Sequence, residues 1–486
     1  MKTSWIDFLK LLASVVFAAA GTASVAVAQH PNILLIVTDQ QHAGMMSCAG
    51  NAWVKTPNMD RLAATGVRFE KAYCTNPVCV PSRFSMFTGA LPSEIGMEDN
   101  RGEKNSIPAG ILENAMGNIF RRAGYETAYA GKIHLPGQPG VVGRVEPYGF
   151  ERISSGKIDG RADGRDGAVD ACVKFLGKKH DRPFLLVASL INPHDICYMA
   201  INDFMRQMGQ PVPKGAHEPY LAAALKLPEG VTEEEFYEKL CPPLPDNFEI
   251  PEQEPEALGG FKGKRNFRTF AREKWTDKEW RLHRWAYARL TESVDAQIGR
   301  LLDSLEKAGL DKNTVVVFTS DHGDHDSAHR LEHKDTYYEE AVRVPFIISW
   351  KGKTSGGKVD RDHLISTGLD LIPTLCDFAN IPVPPELRGR GARMLTEGLH
   401  ASNWRDALVI EHENLRVLHM GKTKYIIYGD GANREQFVDL EKDPGEMKNM
   451  AQDPGYKDRI RGAREALKVW YSQAGLPLDP KYIVSD

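Results

Sequence analysis

The chain has 486 residues, of which 42% are apolar and 26% are charged, and its formal net charge is −4. This is the composition of a globular protein, and the length allows one large hydrophobic core and a smaller one. Because there is no excess of basic residues, the composition argues against a protein that binds nucleic acid.

Residues 1–28 have the layout of a secretory signal peptide. Lys2 and Lys10 flank the start of an apolar run at 11–20, and small residues lead to Ala28. The sequence therefore predicts export to the periplasm or the extracellular space, with cleavage near Ala28. A membrane anchor is the alternative, but the apolar run is short for a span. No later stretch predicts stable insertion into a membrane.

Residues 29–381 alternate between apolar, β-branched runs and helical patterns. Strands are predicted at 32–38, 127–130, 184–190, 314–319 and 344–350. Helices are predicted at 57–64, 111–123, 167–178 and about 278–308. This alternation predicts an α/β domain in which a large, mainly parallel sheet is sandwiched by helices.

Two further regions depart from this rhythm. Residues 195–277 are rich in Pro, Glu and Lys and are typical of an irregular insertion that contributes substrate contacts. Residues 382–486 contain short strands with turn signals between them, followed by a helix at 456–474. The strands are predicted at 408–411, 416–419, 424–428 and 436–439. This pattern predicts a smaller C-terminal α+β subdomain with an antiparallel sheet.

Polar side chains follow two of the predicted core strands. Asp39 and Gln40 come after the first strand, and Asp321 and His322 come after the strand at 314–319. An Asp in this position is commonly a turn or cap residue, but two such pairs at strand ends favour a shared site. Oxygen-dominated ligands indicate Ca²⁺, Mg²⁺ or Mn²⁺ rather than Zn²⁺.

Cys79 lies directly before a segment that can begin a helix, since Pro81 fits a first helical turn. The free N–H groups of a helix N-terminus favour an anion at this place. A buried cysteine, a disulfide partner and a thiolate nucleophile all remain open. The seven cysteines lie after residue 28, and their odd number leaves at least one unpaired or modified in an exported protein. Sulfur is a poor partner for a hard cation, so an oxygen group would serve better in that site.

The sequence resembles the type I sulfatases, whose C-x-P-S-R signature contains a cysteine that is oxidised to formylglycine. The matching segments, in the order of the family, are PNILLIVTDQ, TPNMDRLAATGVRF, CVPSR, GYETAYAGKIH, SLINPHD, TSDHGDHDSAHRLEHK and YYEEAVRVPFII. The C-terminal QFVDLEKDPGEMKNMA is also similar to the family. The resemblance covers nearly all of the chain after residue 28 and implies an alkaline phosphatase-like fold.

The resemblance implies that a separate maturation enzyme converts Cys79 to 3-oxoalanine (formylglycine). The hydrated aldehyde would be the nucleophile and also a metal ligand, and its second hydroxyl would later expel the sulfate. The metal shell would be completed by Asp39, Gln40, Asp321 and His322. Ca²⁺ is the first expectation for the ion, with Mn²⁺ or Mg²⁺ as alternatives.

Five further side chains match catalytic positions of the family, namely Arg83, Lys132, His134, His194 and Lys334. Arg83 would brace the nucleophile, and the two lysines would bind sulfate oxygens. His134 would hydrogen-bond the diol and help to deprotonate it, and His194 would protonate the leaving alcohol.

Substrate contacts are predicted less directly. His329, at the end of a polar run that begins at Asp324, is the best candidate in this run for a contact to a sugar ring, although a solvated loop would have the same composition. Arg416, His419 and Lys424 are further candidates in the C-terminal subdomain.

The expected function is hydrolysis of sulfate esters on a sulfated carbohydrate, such as a glycosaminoglycan or an algal glycan. Many relatives have Asp-Asp and Asp-Asn where this chain has Asp39-Gln40 and Asp321-His322. The branches of the family that have Asp-Gln and Asp-His, as this chain does, include choline sulfatases and phosphonate monoester hydrolases. A phosphonate or phosphate ester hydrolase is therefore the alternative. An inactive glycan-binding relative is a second alternative, but it predicts a broken catalytic set, whereas every matched position here carries a competent residue.

Overall fold

A computed structural model describes residues 30–97, 99–137, 143–154, 164–263, 265–399 and 401–484. The predicted signal peptide and its cleavage site lie outside these residues, so both stay predictions. No helix within the described ranges combines the length and the apolar character needed to cross a membrane.

The main sheet of the described chain has eight strands. The strands of the chain are β1 Asn32–Asp39, β2 Gly66–Phe69, β3 Ala72–Tyr73, β4 Glu126–Gly131, β5 Glu151–Arg152, β6 Phe184–Pro193, β7 Thr314–Ser320, β8 Phe346–Ser349, β9 Lys358–Asp360, β10 Ile365–Ser366, β11 Leu408–His412, β12 Leu415–His419, β13 Thr423–Tyr428 and β14 Glu435–Asp439. The order in the main sheet is β5-β4-β6-β1-β7-β8-β2-β9. Only β8 runs antiparallel to its neighbours, which confirms the mainly parallel sheet.

The helices of the described residues are α1 Pro57–Thr65, α2 Cys79–Thr88, α3 Ala109–Glu113, α4 Met116–Arg122, α5 Gly164–Leu176, α6 Cys197–Gln207, α7 Glu218–Leu225, α8 Glu233–Glu235, α9 Glu256–Gly263, α10 Asn266–Lys274, α11 Asp277–Lys307, α12 Glu339–Val342, α13 Thr367–Ala379, α14 Arg393–Thr396 and α15 Lys457–Gln473. The predicted helix at 111–123 is divided into α3 and α4, because Ala115 has an extended backbone with φ −65° and ψ 148°.

Strand β1 shows why the sheet is covered on both faces. All eight of its residues are buried, and alternate side chains point to opposite faces. Ile33 and Leu35 pack in one core with residues of α2 and α13, whereas Leu34 and Ile36 pack in another with the apolar face of α11. A strand that is buried on both faces must be apolar throughout, and the NILLIVT run meets this requirement.

The C-terminal part contains a four-stranded antiparallel sheet in the order β11-β12-β13-β14, with α15 packed against it. Each predicted strand lies within one or two residues of its observed bounds. The sequence does not predict helix α13. Its residues are nearly all buried, so it lacks a helical alternation of apolar and polar residues, and it contains Pro373. The fold class is confirmed, and the domain boundary at 381/382 stays a prediction.

Candidate active site

Four adjacent parallel strands deliver the predicted site residues to one edge of the main sheet. The strands β4, β6, β1 and β7 are neighbours in that order. The carboxyl end of β1 carries Asp39, and Lys132, His194 and Asp321 follow directly on β4, β6 and β7. Because the carboxyl ends of parallel strands meet at one edge, residues far apart in sequence become neighbours.

Helix α2 places Cys79 over this edge. The helix begins at Cys79, and all ten of its residues are buried. Cys79 Sγ lies 3.2 Å from His322 Nε2 and 3.8 Å from Asp39 Oδ1. The predicted position of the cysteine at a helix N-terminus is therefore found, and the thiol faces the strand ends.

Arg83, one turn further along α2, forms hydrogen bonds with residues at the ends of several strands. Its Nη2 donates to Asp39 Oδ2 at 2.9 Å, and its Nε donates to Asp321 Oδ2 at 2.8 Å. Its Nη1 donates to Ser189 Oγ at 2.8 Å and to the Lys132 carbonyl at 3.2 Å. The side chain is fully buried, so these bonds fix both carboxylates in place and Arg83 acts on the metal-ligand candidates rather than on the open cavity.

Two lysines converge on the Cys79 sulfur. Lys334 Nζ lies 2.9 Å from Sγ, and Lys132 Nζ lies 3.6 Å from Sγ and 2.5 Å from Asp39 Oδ2. Burial and the Asp39 carboxylate act to raise the pKa of the thiol, but Lys132, Lys334 and His322 outweigh them and hold it well below its usual value. The site therefore favours a negative charge at position 79.

The donor set beneath Cys79 fits a divalent cation. Asp39, Cys79, Asp321 and His322 are all buried, and each offers one ligand atom within 4.8 Å of the others. His322 Nδ1 donates to the Gly323 carbonyl at 2.9 Å and leaves Nε2 directed at the cluster, where it would bind a cation when the ring is neutral. Burial, followed by the neighbouring Asp39 charge, raises the pKa of Asp321 despite its ion pair with Arg83.

The side-chain oxygen of Gln40 gives the strongest indication that this site binds a cation. Its Nε2 donates to Asp324 Oδ2 at 2.7 Å, and its Oε1 is buried without a hydrogen-bond partner. A buried carbonyl oxygen without a partner is costly. A hard cation would satisfy it. Gln40 adjoins the cluster of Asp39, Cys79, Asp321 and His322, since its backbone N–H donates to Asp321 Oδ1 at 3.2 Å.

A cavity of about 490 Å³ opens above the cluster. Its walls include Cys79, Lys132, His134, His194 and Lys334, so the side chains predicted to meet the sulfate ester share one space. Burial, and then the positive charge of Lys132, lowers the pKa of His194 well below its usual value.

The insertion at 195–277 closes one side of this cavity. Its helices α6 and α10 contribute Cys197, Tyr198, Ile201 and Phe267, and Arg265 precedes α10. Arg165, near the start of α5, also lines the cavity. The arginines and Phe267 have no motif that would have revealed them.

His329 is not brought into this cavity. Its buried ring stacks on Tyr338 with ring centroids 3.7 Å apart, and its Nε2 lies 3.4 Å from Asn247 Nδ2. Burial, then the charge of Lys424, lowers the pKa of His329 to about 3. The predicted contact to a sugar ring therefore has no support in this arrangement, because the side chain is used to pack the interior.

The C-terminal candidates also lie apart from the cavity walls. Lys424 and His419 are buried and contact Glu339, and Arg416 contacts Glu411. Lys424 and His419 therefore join the C-terminal sheet to α12, whereas Arg416 and Glu411 pair with each other within that sheet. All seven cysteines are within the described ranges, and none forms a disulfide.

Comparison with known proteins agrees with this geometry. A family model described as "Sulfatase" matches residues 31–381, and one described as "N-sulphoglucosamine sulphohydrolase, C-terminal" matches residues 327–472. A Delta 4,5-hexuronate-2-O-sulfatase of Bacteroides thetaiotaomicron is 29% identical over 467 residues, covering 92% of this chain and 90% of the relative.

Two solved structures extend the comparison. A 2-O GAG sulfatase has a TM-score of 0.75 and 26% identity, covering 93% of this chain and 95% of its own. A phosphonate monoester hydrolase of Agrobacterium radiobacter has a TM-score of 0.69 and 21% identity, covering 94% and 99% of the two chains. At that identity the second likeness shows a shared fold alone.

Proposed function

The chain belongs to the sulfatase family and is a sulfuric ester hydrolase, and from this premise we propose that it removes sulfate from a sulfated saccharide by means of a formylglycine derived from Cys79 and a divalent cation. One observation carries the proposal. The Cys79 sulfur is contacted by Lys132 and Lys334 on one side and by the buried ligand cluster on the other, and the same atom faces the cavity.

The residues around position 79 would each have one task. The ammonium groups of Lys132 and Lys334 would hold the negatively charged sulfate oxygens, with no reorganisation needed during the reaction. Arg83 keeps Asp39 and Asp321 in position through its buried hydrogen bonds. Formylglycine would supply an oxygen nucleophile in place of the soft sulfur.

The cation would be held by Asp39, Gln40, Asp321 and His322 together with the modified residue 79. When bound, it would supply positive charge that polarises the sulfate and lowers the pKa of a hydroxyl beside it. Ca²⁺ is the first candidate because oxygen ligands dominate the set, and Mn²⁺ or Mg²⁺ is the alternative because an amide and an imidazole make the shell less anionic.

His194 is the proposed acid for the leaving alcohol. Its Nδ1 faces Cys197 Sγ at 3.9 Å, so Nε2 is the nitrogen that would deliver the proton. Burial and two nearby lysines weaken its hold on a proton. The charge of a bound sulfate ester would oppose those lysines and favour the protonated ring. His134 shares the cavity wall and would accept the proton that residue 79 loses.

A sulfated saccharide is the proposed substrate. The relatives above are described as a hexuronate sulfatase and a GAG sulfatase, and the cationic, polar cavity of this chain suits such a ligand. Turnover should be measured on a panel of defined sulfated glycosaminoglycan and algal oligosaccharides. Release of sulfate from none of them by matured protein would contradict the proposal.

The modification and the metal have separate tests. Mass spectrometry of the peptide that contains position 79, taken from active enzyme, should show a mass about 18 Da below that of unmodified cysteine. Activity should fall on chelation and return with Ca²⁺ or Mn²⁺, and elemental analysis should identify the native ion. Protein from a host without the maturation enzyme is the control. Full activity with an intact thiol would contradict the role of formylglycine.

Export is a further part of the proposal. If residues 1–28 are a cleaved signal peptide, N-terminal sequencing of the exported protein should begin at residue 29. Recovery of the full leader on the exported protein would contradict cleavage.

A phosphonate or phosphate ester hydrolase is the second candidate. The observation that favours it is the pair of ligands Gln40 and His322, because a less anionic shell repels less strongly a phosphate monoester, which carries more negative charge than a sulfate monoester. Values of kcat/KM on matched aryl sulfate, phosphate and phosphonate esters separate the two. The sulfatase proposal requires the sulfate ester to be the best of the three.

A further inference from the structure

The cavity walls carry more positive charge than one sulfate needs. Four cationic side chains line the cavity, namely Lys132, Lys334, Arg165 and Arg265. Among the described residues, no Asp or Glu side chain lines it. The two lysines contact the Cys79 sulfur and are accounted for by the scissile sulfate. The two arginines are left without a role in the proposed reaction.

Arg265 is a cation without a fixed partner. Its guanidinium makes no hydrogen bond or ion pair with any other residue in the described part of the chain, and the side chain is half-buried. The nearby Asp335 is already paired with Arg268, whose Nη2 lies 2.7 Å from Asp335 Oδ2. Arg265 also lines a neighbouring cavity of about 360 Å³, so it stands between two spaces that a saccharide could reach.

Arg165 is held rigidly but leaves one donor unused. The residue is 4% exposed, and its Nε donates to Asp195 Oδ2 at 2.9 Å while its Nη2 contacts Asp195 Oδ1. Its Nη1 is buried and has no hydrogen-bond partner. A buried N–H without an acceptor is costly and calls for a ligand atom. Because Asp195 follows His194 in the chain, this donor is anchored next to the proposed acid.

We propose that Arg165 and Arg265 form a second anion subsite, which binds a carboxylate or a second sulfate of the saccharide that carries the scissile ester. The inference rests on the proposed function for the identity of the first anion. Guanidinium groups match the oxygens of carboxylates and sulfates alike, so the shared chemistry is an oxyanion on a sugar. A sugar with one sulfate and no other charge would leave Arg265 and the Nη1 donor of Arg165 without an acceptor.

The test compares saccharides that differ in the second anion alone. One pair is a sulfated uronate saccharide and its carboxyl-reduced form, and the other is a disulfated amino sugar and its monosulfated form. Wild-type enzyme should prefer the charged member of at least one pair by about tenfold in kcat/KM, and Arg265→Gln should remove most of that preference. The pair that responds identifies the source of the anion.

Two further variants test whether the preference depends on Arg165 and whether loss of an unrelated arginine has the same effect. Arg165→Lys keeps a positive charge for the buried Asp195 but removes the Nη1 group, and it should also reduce the preference. Arg300→Gln, which removes a partly exposed arginine of α11 paired with Asp170, should leave the preference unchanged. In Arg265→Gln, an equal decrease in kcat/KM for the saccharide with the second anion and the saccharide without it, or no change for either, would contradict the proposed anion subsite.

Calorimetry separates this proposal from the proposed function. Charged and reduced saccharides are titrated into Cys79→Ala protein, which cannot turn them over through residue 79. A preference for the charged member that is lost in the double variant with Arg265→Gln supports the subsite, even if no sulfate ester is hydrolysed by the wild type. Turnover of sulfate esters without any such preference retains the function and overturns the subsite.

Discussion

Two buried clusters of charge lie in this molecule, and they differ in what their charges contact. In the catalytic cluster, made of Asp39, Cys79, Arg83, Lys132, Asp321, His322 and Lys334, the lysines meet a sulfur atom and face a cavity. In the Lys424 cluster, made of Lys424, Glu339, Glu446 and His419, the ammonium group has three oxygen partners. These are Tyr337 O at 2.9 Å, Glu339 Oε1 at 3.1 Å and Glu446 Oε1 at 2.5 Å.

The difference separates a site built for a ligand from one built for the fold. Lys424 donates to the Tyr337 carbonyl and has the carboxylates of Glu339 and Glu446 within ion-pair distance, so its charge is compensated within the chain. Lys334 instead contacts Cys79 Sγ and His322 Nε2, which are poor substitutes for anionic oxygens. We therefore expect the catalytic cluster to govern activity and the Lys424 cluster to govern stability.

Replacement of Cys79 by alanine should have the largest effect. Loss of the nucleophile should lower kcat/KM on a sulfate ester by about 10⁵-fold or more. The free energy of unfolding should change by less than about 1 kcal/mol, because a small side chain is removed from a site that is not optimised for stability. Steady-state kinetics and urea unfolding measure the two quantities. A large loss of stability would mean that the two clusters do not differ as proposed.

The sequence foreshadowed the catalytic cluster better than the Lys424 cluster for a physical reason. Asp39 and Asp321 directly follow apolar strands, and parallel strands bring their carboxyl ends together, so position along the chain predicts position in space. Lys424 lies in a strand that gives no such signal. Its partners Glu339 and Glu446 lie on other segments, and only tertiary packing brings them within reach.

The same reasoning explains why the sequence predicts substrate contacts less directly than metal ligands. His329 lies in the polar run that follows the predicted metal ligands Asp321 and His322, but its left-handed backbone, with φ 57°, places the ring on Tyr338 in the interior. Arg165 and Arg265 lie in segments without periodic pattern. They become notable only because Asp195 anchors one of them and the cavity reaches both.

Replacement of Lys424 by methionine should have the next largest effect, and this effect should be on stability rather than on activity. Breaking a buried ion pair while leaving its carboxylates in place costs about 3–5 kcal/mol of unfolding free energy. The kcat/KM of the folded variant should stay within about twofold of wild type, since none of the Lys424 cluster lines the cavity. Urea unfolding and kinetics below the transition check both parts. A selective loss of sugar turnover in a stable variant would place Lys424 in the substrate site.

Replacement of His194 by alanine tests whether the cavity side of the catalytic cluster performs acid catalysis. A sugar alcohol is a poor leaving group, so kcat/KM on a sugar sulfate should fall by about a hundredfold. An aryl sulfate with an acidic phenol needs little protonation and should fall much less. A merely structural role for His194 would slow the hydrolysis of both esters equally. The free energy of unfolding, measured on the same variant, shows whether the fold is retained.

Per pH unit, the pH dependence of stability should show the smallest effect, and it should come from the Lys424 cluster. Burial, opposed by Lys424 and supported by Glu339, raises the pKa of Glu446 from 4.5 to about 8. The folded state therefore keeps a proton that the unfolded chain releases near pH 4.5. This contribution to stability is complete below pH 4.5 and is lost as the pH rises towards 8.

Glu446→Gln imitates the protonated side chain and should remove this dependence. Between pH 5 and 8, the slope of unfolding free energy against pH should become less negative by up to about 1.4 kcal/mol per pH unit relative to wild type. Chemical unfolding at several pH values measures the slope, and Glu465→Gln, an exposed residue of α15, is the matched control. If both variants keep the wild-type slope, Glu446 is ionised in the folded protein, and Lys424 balances two carboxylates rather than one.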